Sequence, residues 1–400
     1  MEPSGYLGHL RCPRCGSDQP EPAASAGCPV CAAAGIGVNL HPAYRVAPGP
    51  LPESAGQPGL FRYRRLLPLP ESVPAVSLAE GGTPLLPLRR LGATLGVPGL
   101  LLKDESRNPT GSYKDRLAAV AVTRAAAGGA ATVAAATSGN HGVAVAAYAA
   151  RAGLGCVVLA RASAPESLLA LMHGYGARVH RYESGPDRWS ALAAGVAERG
   201  WFPVSGFRDP PIGSNPFGVD GYKTIAYELW RDLGRVPDVV VLPAAYGDGL
   251  AGVWRGFEDL RALGLAGTVP RLVAVDPFGA YAAALADPDR APRPVPGGRS
   301  VAFSVATRIA TWQGVAAVRH TGGTAVAEPS DRAILDLRAR LAGTEGVYLE
   351  ATSALPLVAV RKLVGSGWLH PEQQVVVIAT AAPSPADLGL AVDERPDIAG

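Results

Sequence analysis

Lysine is scarce. Lys103, Lys114, Lys223 and Lys362 are the only four in the chain, and arginine carries the remaining basic charge. Arginine stays protonated and cannot form an imine, so any chemistry that needs a primary amine has few candidates. Net charge is also small, +3 over 400 residues, and the arginines are dispersed, which argues against nucleic acid as a partner. No apolar run approaches the ~18 residues that would span a bilayer. Met1 to Gly5 has neither the basic nor the apolar region of a signal peptide. A soluble cytoplasmic protein with a small-molecule substrate is expected, with no membrane partner. About half of the residues are hydrophobic (48%), enough for a large core and more than one domain.

Cysteine is sparse too, yet four of the five fall in a pattern: Cys12-Pro13-Arg14-Cys15, then twelve residues, then Cys28-Pro29-Val30-Cys31. Two such knuckles can supply four thiolates to one tetrahedral Zn²⁺, and a cytosolic chain favours metal over disulfides. The spacing is slightly short for a zinc ribbon, so a ribbon that folds without metal, or a redox pair, stays open. With four thiolate ligands the role of zinc would be structural. Cys156, inside an apolar run, reads as core.

Among the lysines, Lys114 stands apart. Asn108-Pro109-Thr110-Gly111-Ser112-Tyr113 makes a polar turn before it, and an apolar helical stretch follows. Lys103 closes the run Leu100-Leu101-Leu102, Lys223 opens a helix, and Lys362 lies in an amphipathic helix from Ala354 to Leu363. A lysine fixed on a turn is what an enzyme needs to carry pyridoxal phosphate as a Schiff base; the alternative is a solvated lysine in a first helical turn. About two dozen residues on, Thr137-Ser138-Gly139-Asn140-His141-Gly142 forms a second polar turn into a helix, with an amide side chain available to a cofactor ring.

Short β-branched runs alternate with helix-length segments. Strands are expected at Leu100–Lys103, Thr132–Ala136, Cys156–Ala160, Arg178–Tyr182, Val239–Leu242, Leu272–Asp276 and Val375–Thr380. Helices are expected at Lys114–Ala127, Asn140–Ala152, Glu166–Tyr175, Arg188–Arg199, Tyr222–Leu233 and Leu250–Leu263. Continuous apolar strands separated by helices imply α/β architecture with parallel sheets covered on both faces. The expected organisation is a zinc-ribbon-like segment (9–45) and a Pro/Gly-rich linker or arm (46–74). A catalytic region (75–382) with a smaller subdomain around 115–215 and a tail (383–400) follow. In such sheets ligands sit beyond the carboxyl ends of strands, which is where Thr137–Gly142, Ala244–Gly249 and Thr380 fall.

These motifs together resemble the fold type II pyridoxal-phosphate enzymes, the tryptophan synthase beta-like family, and within it the threonine synthases. The resemblance runs from Glu80-Gly81-Gly82-Thr83-Pro84-Leu85 through Lys103 to Arg116, Thr137 to Asn140, Gly221-Tyr222-Lys223-Thr224 and Glu350-Ala351-Thr352-Ser353-Ala354. It implies two parallel-sheet α/β domains behind the ribbon, and a homodimer. It also implies that Lys114 is the Schiff-base lysine and the base that moves the Cα proton, and that Asn140 hydrogen-bonds the cofactor ring oxygen; a helix N-cap is the alternative for Asn140. Thr137, Ser138 and the backbone of Gly139 to Gly142 stand where the substrate carboxylate would dock at a helix entrance. His141 belongs to that turn but not to the catalytic set. Tyr246-Gly247-Asp248-Gly249-Leu250 fits the glycine-rich cradle for the cofactor phosphate, with Asp248 required to point away. Thr380 matches the hydroxyl on the pyridine nitrogen, although Ala381 replaces the family's usual glycine.

The implied activity is that of a pyridoxal-phosphate-dependent lyase or synthase performing elimination or replacement at the β or γ carbon of an amino acid. Threonine synthase itself needs cations for the phosphate of O-phosphohomoserine. The family's lysine and arginine for that purpose fall here on Leu168 and Gly218, and Asp220 replaces a glutamate. Arg161, Arg208 and Lys223 are candidate substitutes. A true threonine synthase, a relative acting on another amino acid, and a non-catalytic cofactor-binding regulatory protein all stay open.

Overall fold

Valine and leucine in unbroken runs make strands buried on both faces, and alternate side chains go to opposite layers. In a computed structural model describing residues 5–287 and 290–383, Val240 and Leu242 enter one core while Val239 and Val241 enter the other. Each such side chain contributes about 1.5–3 kcal/mol when fully buried. The tail expected at 383–400 lies outside the described residues apart from Pro383.

In chain order the strands are β1 (Gly5–Arg11), β2 (Asp18–Gln19), β3 (His41–Arg45), β4 (Leu85–Pro87), β5 (Leu100–Asp104), β6 (Thr132–Ala135), β7 (Gly155–Arg161), β8 (Arg178–Tyr182), β9 (Phe202–Pro203), β10 (Val239–Pro243), β11 (Arg271–Asp276), β12 (Thr324–Ala327) and β13 (Val375–Ala379). The helices that matter here are α1 (Lys114–Ala127), α2 (Asn140–Ala152), α3 (Gly185–Arg199), α4 (Lys223–Leu233), α5 (Asp248–Ala262), α6 (Trp312–His320) and α7 (Ala351–Gly365). The strands form three sheets ordered β2-β1-β3, β12-β11-β10-β13-β5-β4 and β8-β7-β6-β9. The first is antiparallel. The second is parallel except for the edge strand β4, and the third is parallel throughout. The fold is α/β, as expected. No helix among the described residues is long and apolar enough to cross a membrane.

Several elements differ from the sequence expectation. The Pro/Gly-rich arm expected at 46–74 is not irregular throughout: Gly59–Leu66 forms a 3₁₀ segment. The proline-free stretch between Pro58 and Pro68 is long enough for 3₁₀ turns, and Leu60, Phe61, Tyr63 and Leu66 are buried in the larger core. Helix α7 is not amphipathic: Ala351 to Val360 are buried without a break, and its exposed residues, Arg361, Lys362 and Gly365, come only at the C-terminal end. β4 and β12 were not anticipated because three or four residues carry no readable alternation.

A charged cluster lies where β5, α1 and α4 meet. Arg116 is fully buried and binds Glu105 (2.7 and 2.8 Å) and Glu228 (2.7 Å to each oxygen) in bidentate fashion. Lys103 Nζ, also fully buried, lies 2.8 Å from Glu228 and donates to the Thr83 carbonyl at 2.6 Å. Two cations thus meet two carboxylates, and Thr83, Thr224 and the Gly82 N–H occupy remaining sites. Burial opposes ionisation of Glu228, but Arg116 and Lys103 overcome it and hold its carboxyl well below the usual range. Removing one member leaves an uncompensated buried charge. Arg116→Met is therefore expected to lower the unfolding free energy by about 3–5 kcal/mol, measured by urea titration; a loss under 1 kcal/mol would mean the cluster is not what anchors α1.

Candidate active site

The loops at the carboxyl ends of β5, β6, β10 and β13 converge on one cavity of about 550 Å³. Its walls hold Lys114, Thr137 to His141, Tyr246 to Leu250 and Thr380. The residues that the sequence offered for the cofactor, together with Thr137 to His141, are therefore brought to the same place.

Lys114 begins α1, and its amine lies 3.3 Å from the Tyr113 hydroxyl and 4.6 Å from that ring's centre. Tyr113 in turn stacks on buried Tyr222 at 4.7 Å, which fixes the wall beside the amine. The other lysines are committed elsewhere: Lys103 to Glu228, Lys362 to Glu328 at 2.9 Å, and Lys223 to Asp259 at 2.7 Å. Lys223, a candidate for anion binding in the sequence, does not face the cavity.

Asn140 starts α2 and donates through Nδ2 to Glu350 Oε2 at 3.0 Å, so its side chain reaches across rather than capping its own helix. Ser138 Oγ accepts from the Arg161 N–H at 2.8 Å. His141 is 8% exposed and its Nε2 has no hydrogen-bond partner among the described residues. Burial, helped by the charge of Lys114, pushes its pKa down to about 3, so the imidazole is neutral at ordinary pH. Thr380 Oγ1 lies 3.2 Å from Ser353 Oγ, and Ser353 also binds both polar backbone atoms of Ala381. The Thr380 carbonyl accepts from the Tyr113 N–H at 2.9 Å, tying this strand end to the Lys114 turn.

The loop after β10 has the form of an anion cradle. Gly247 adopts φ +70°, and a Cβ there would stand 2.5 Å from Gly314 Cα. The first N–H groups of α5 have no acceptor within their helix, and the helix dipole favours negative charge there. Asp248 does not obstruct them. Its carboxylate accepts from Ser214 N (3.0 Å), Ser214 Oγ (2.7 Å) and Gln313 Nε2 (2.7 Å). Gln313 Nε2 and Thr311 Oγ1 also donate to the Tyr246 carbonyl. An amine, a neutral hydroxyl, an amide and a backbone cradle around one cavity fit pyridoxal phosphate.

Sequence reasoning missed Arg188, Ser214, Gln313, Glu350 and Ser353 as parts of the site. Glu350 and Ser353 belong to a matched motif but carried no assigned role. Ser214 and Gln313 have no sequence signal. Arg188 had one: a cation in the first turn of α3, where the helix dipole disfavours it.

The four ribbon sulfurs all lie within 4.8 Å of one another. Cys12 and Cys31 are 3.7 Å apart, and Cys15 and Cys28 are 3.6 Å apart. A tetrahedron with Zn–S bonds of about 2.3 Å has edges of about 3.8 Å, so the spacing suits a metal and is far too long for a disulfide.

Comparison with known proteins agrees with this geometry. The family described as "Pyridoxal-phosphate dependent enzyme" matches residues 76–381. The threonine synthase of Methanocaldococcus jannaschii is 32% identical over 332 residues, covering 80% of this chain and 79% of that one. That of Mycobacterium tuberculosis H37Rv is 33% identical over 327 residues, covering 81% and 87%. Among solved structures, the processed form of threonine deaminase isoform 2 from Solanum lycopersicum superposes with a TM-score of 0.65 at 20% identity, covering 86% of this chain and 92% of that one. The chain belongs to the pyridoxal-phosphate-dependent enzyme family. Within it, the chain is an enzyme of the threonine synthase type.

The depressed His141 pKa has a consequence for stability. Above pH 6.5 the residue is neutral folded and unfolded; below it the unfolded chain takes a proton that the folded chain refuses until about pH 3. Stability is therefore lost as pH falls through this window, at a limiting slope of about 1.4 kcal/mol per pH unit. His141→Gln is expected to flatten that slope between pH 6 and 4 in urea titrations of the cofactor-free protein; equal slopes would show that His141 takes up a proton in the folded state.

Proposed function

We propose that the protein is a pyridoxal-phosphate-dependent lyase that eliminates or replaces a group on the β or γ carbon of an amino acid. The observation that carries this reading is Lys114: alone among the four lysines it faces the cavity without an ion pair among the described residues. When bound, pyridoxal phosphate supplies an electron sink for the pair left at Cα after deprotonation. Lys114 would hold the cofactor covalently, and its amine would serve as the base for the Cα proton. Asn140 bonds the ring oxygen, and Glu350 orients its amide. Thr137, Ser138, Gly139 and His141 receive the substrate carboxylate at the start of α2, where free N–H groups favour an anion. Tyr246 to Leu250 hold the cofactor phosphate through the backbone, Asp248 being turned toward Ser214 and Gln313. Thr380 offers the pyridine nitrogen a neutral hydroxyl. Such a partner does not enforce protonation of the ring, which favours elimination and replacement over transamination.

A second reading, conversion of O-phosphohomoserine to threonine, is supported by the names of the relatives. Against its usual phosphate site stand Leu168 and Gly218, both packed in the interior away from the cavity, and Asp220, which pairs with Arg255 and accepts from Tyr44 at 2.5 Å.

Borohydride reduction and mass spectrometry of wild type are expected to find the cofactor on the peptide containing Lys114, and Lys114→Ala is expected to lose all reducible attachment and to lower turnover by about 10³-fold or more. Retained attachment elsewhere would overturn the assignment. The reaction itself is tested by following the cofactor spectrum with phosphate release as O-phosphohomoserine is added, then with serine, threonine and their activated derivatives. No spectral response to any of them would sink the lyase reading.

The ribbon is proposed to bind one zinc ion through Cys12, Cys15, Cys28 and Cys31, with a structural role. One equivalent of zinc by elemental analysis is the expected result. Cys12→Ser should lose it and lower the melting temperature; a metal-free, fully stable chain would refute the site.

A further inference from the structure

Asn39 lies between the second cysteine knuckle and β3 and is 2% exposed. Its chain neighbours belong to the ribbon: Val38 and Leu40 are buried with the cysteines, and the Val38 carbonyl accepts from the Cys28 N–H at 2.9 Å. The Asn39 side chain points out of it. Nδ2 donates to the Ser214 carbonyl at 2.9 Å and lies 3.4 Å from Gln313 Oε1, while Oδ1 has no hydrogen-bond partner among the described residues. Burying an amide with its carbonyl unpaired costs free energy. A residue serving only to pack the ribbon would carry no such cost.

The bonds beyond Asn39 run in one direction. Gln313 Nε2 donates to Asp248 Oδ1 at 2.7 Å and to the Tyr246 carbonyl at 3.1 Å, which fixes this amide with Oε1 toward Asn39. Only a donor suits that position, so neither aspartate nor leucine could replace the asparagine. Ser214 gives its N–H and its hydroxyl to the same Asp248 carboxylate. Contact is close on both sides of the segment between them. A Cβ at Gly213 would stand 2.1 Å from Gln313 Nε2 and 2.6 Å from Asp248 Oδ1, and one at Gly27 of the ribbon 2.8 Å from Ile212 Cδ1. Ile212, Gly213 and Ser214 line the cavity, so this wall is held between the ribbon and the Asp248 carboxylate. Tyr246 and Asp248 in turn flank Gly247, whose left-handed backbone opens α5.

We infer that Asn39 is a positioning residue for the cofactor phosphate: by donating to Ser214 and Gln313 it keeps the Asp248 carboxylate turned out of the cradle, and so couples the fold of the ribbon to cofactor affinity. This rests on the assignment of the phosphate to residues 246–250 made above, and not on zinc. Without the Asn39 donor, Ser214 and Gln313 lose the bonds that orient them. A carboxylate whose donors shift turns toward the phosphate, where like charges repel. The loss falls on the phosphate rather than on the pyridine ring.

The test titrates cofactor-free, full-length protein with pyridoxal phosphate and with pyridoxal, which has the ring and aldehyde but no phosphate, following absorbance. Asn39→Ala is expected to raise Kd for pyridoxal phosphate by about 10-fold, the scale of one lost hydrogen bond, and to leave that for pyridoxal nearly unchanged. Asn39→Ser keeps a donor and should fall between wild type and Asn39→Ala; if the alanine variant does not fold, the phosphate-selective loss is read on Asn39→Ser alone. Equal weakening of both ligands would make the role merely structural, and no weakening would show the bond to be idle; either result overturns the inference. If wild type binds pyridoxal phosphate but not pyridoxal, or binds neither, melting temperatures decide. Inorganic phosphate, against chloride at equal ionic strength, should then raise that of wild type more than that of the variant, and equal shifts would overturn the inference. Binding of neither ligand would separately overturn the cofactor reading.

Discussion

The bidentate grip of Arg116 on Glu105 and Glu228 is the constraint from which the site is built. It joins the end of β5, the first turn of α1 and the middle of α4 in one buried cluster. Asn108 extends it, donating to the Glu105 backbone and side chain and accepting from the Gly81 N–H. The turn from Asn108 to Tyr113 is thereby held at its entry, and Lys114 follows from its end. Two residues along a helix point in different directions. Arg116 can therefore face the interior while Lys114 faces the cavity. A buried ion pair is weak support for stability as such, but four charges meeting at three elements admit few alternative geometries, and a catalytic amine needs that restriction.

The loop after β10 is braced from an unexpected direction. Asn39, just beyond the second cysteine knuckle and before β3, donates to the Ser214 carbonyl at 2.9 Å and reaches Gln313 Oε1 at 3.4 Å. Ser214 and Gln313 are the residues that turn the Asp248 carboxylate aside. The ribbon thus stands behind the proposed phosphate cradle, two hydrogen bonds away, and its hydrophobic contact with Phe217 and Trp312 fixes its seat. The cysteine segment is part of the catalytic body's support rather than an appended module.

Much of the architecture was legible because periodicity and punctuation agreed. The bounds of α1 and α2 match expectation to the residue, since Gly128-Gly129 and Gly153 end them and polar turns begin them. The long apolar strands were equally plain. Short strands, the 3₁₀ segment within the arm, and the wholly buried α7 were not, because each depends on neighbours distant in the chain. The same division holds within the site. Lys114, Asn140, the glycines of the cradle and Thr380 sit in ordered local motifs, whereas Gln313, Ser214 and Arg188 act through contacts spanning 34 to 65 residues.

Residue type and spacing set the chemistry available: one lysine on a turn, a glycine-rich helix entrance, four spaced cysteines and an α/β frame. These are local properties, written in residue type and spacing. Which charges cancel is set by packing in three dimensions. Lys223, a candidate for anion binding in the sequence, is paired with Asp259; Arg188, a cation in a first helical turn, is buried without a counter-ion among the described residues; Asp248 looked obstructive and is turned away. Electrostatic energy depends on distance and burial, and neither is a property of position along the chain.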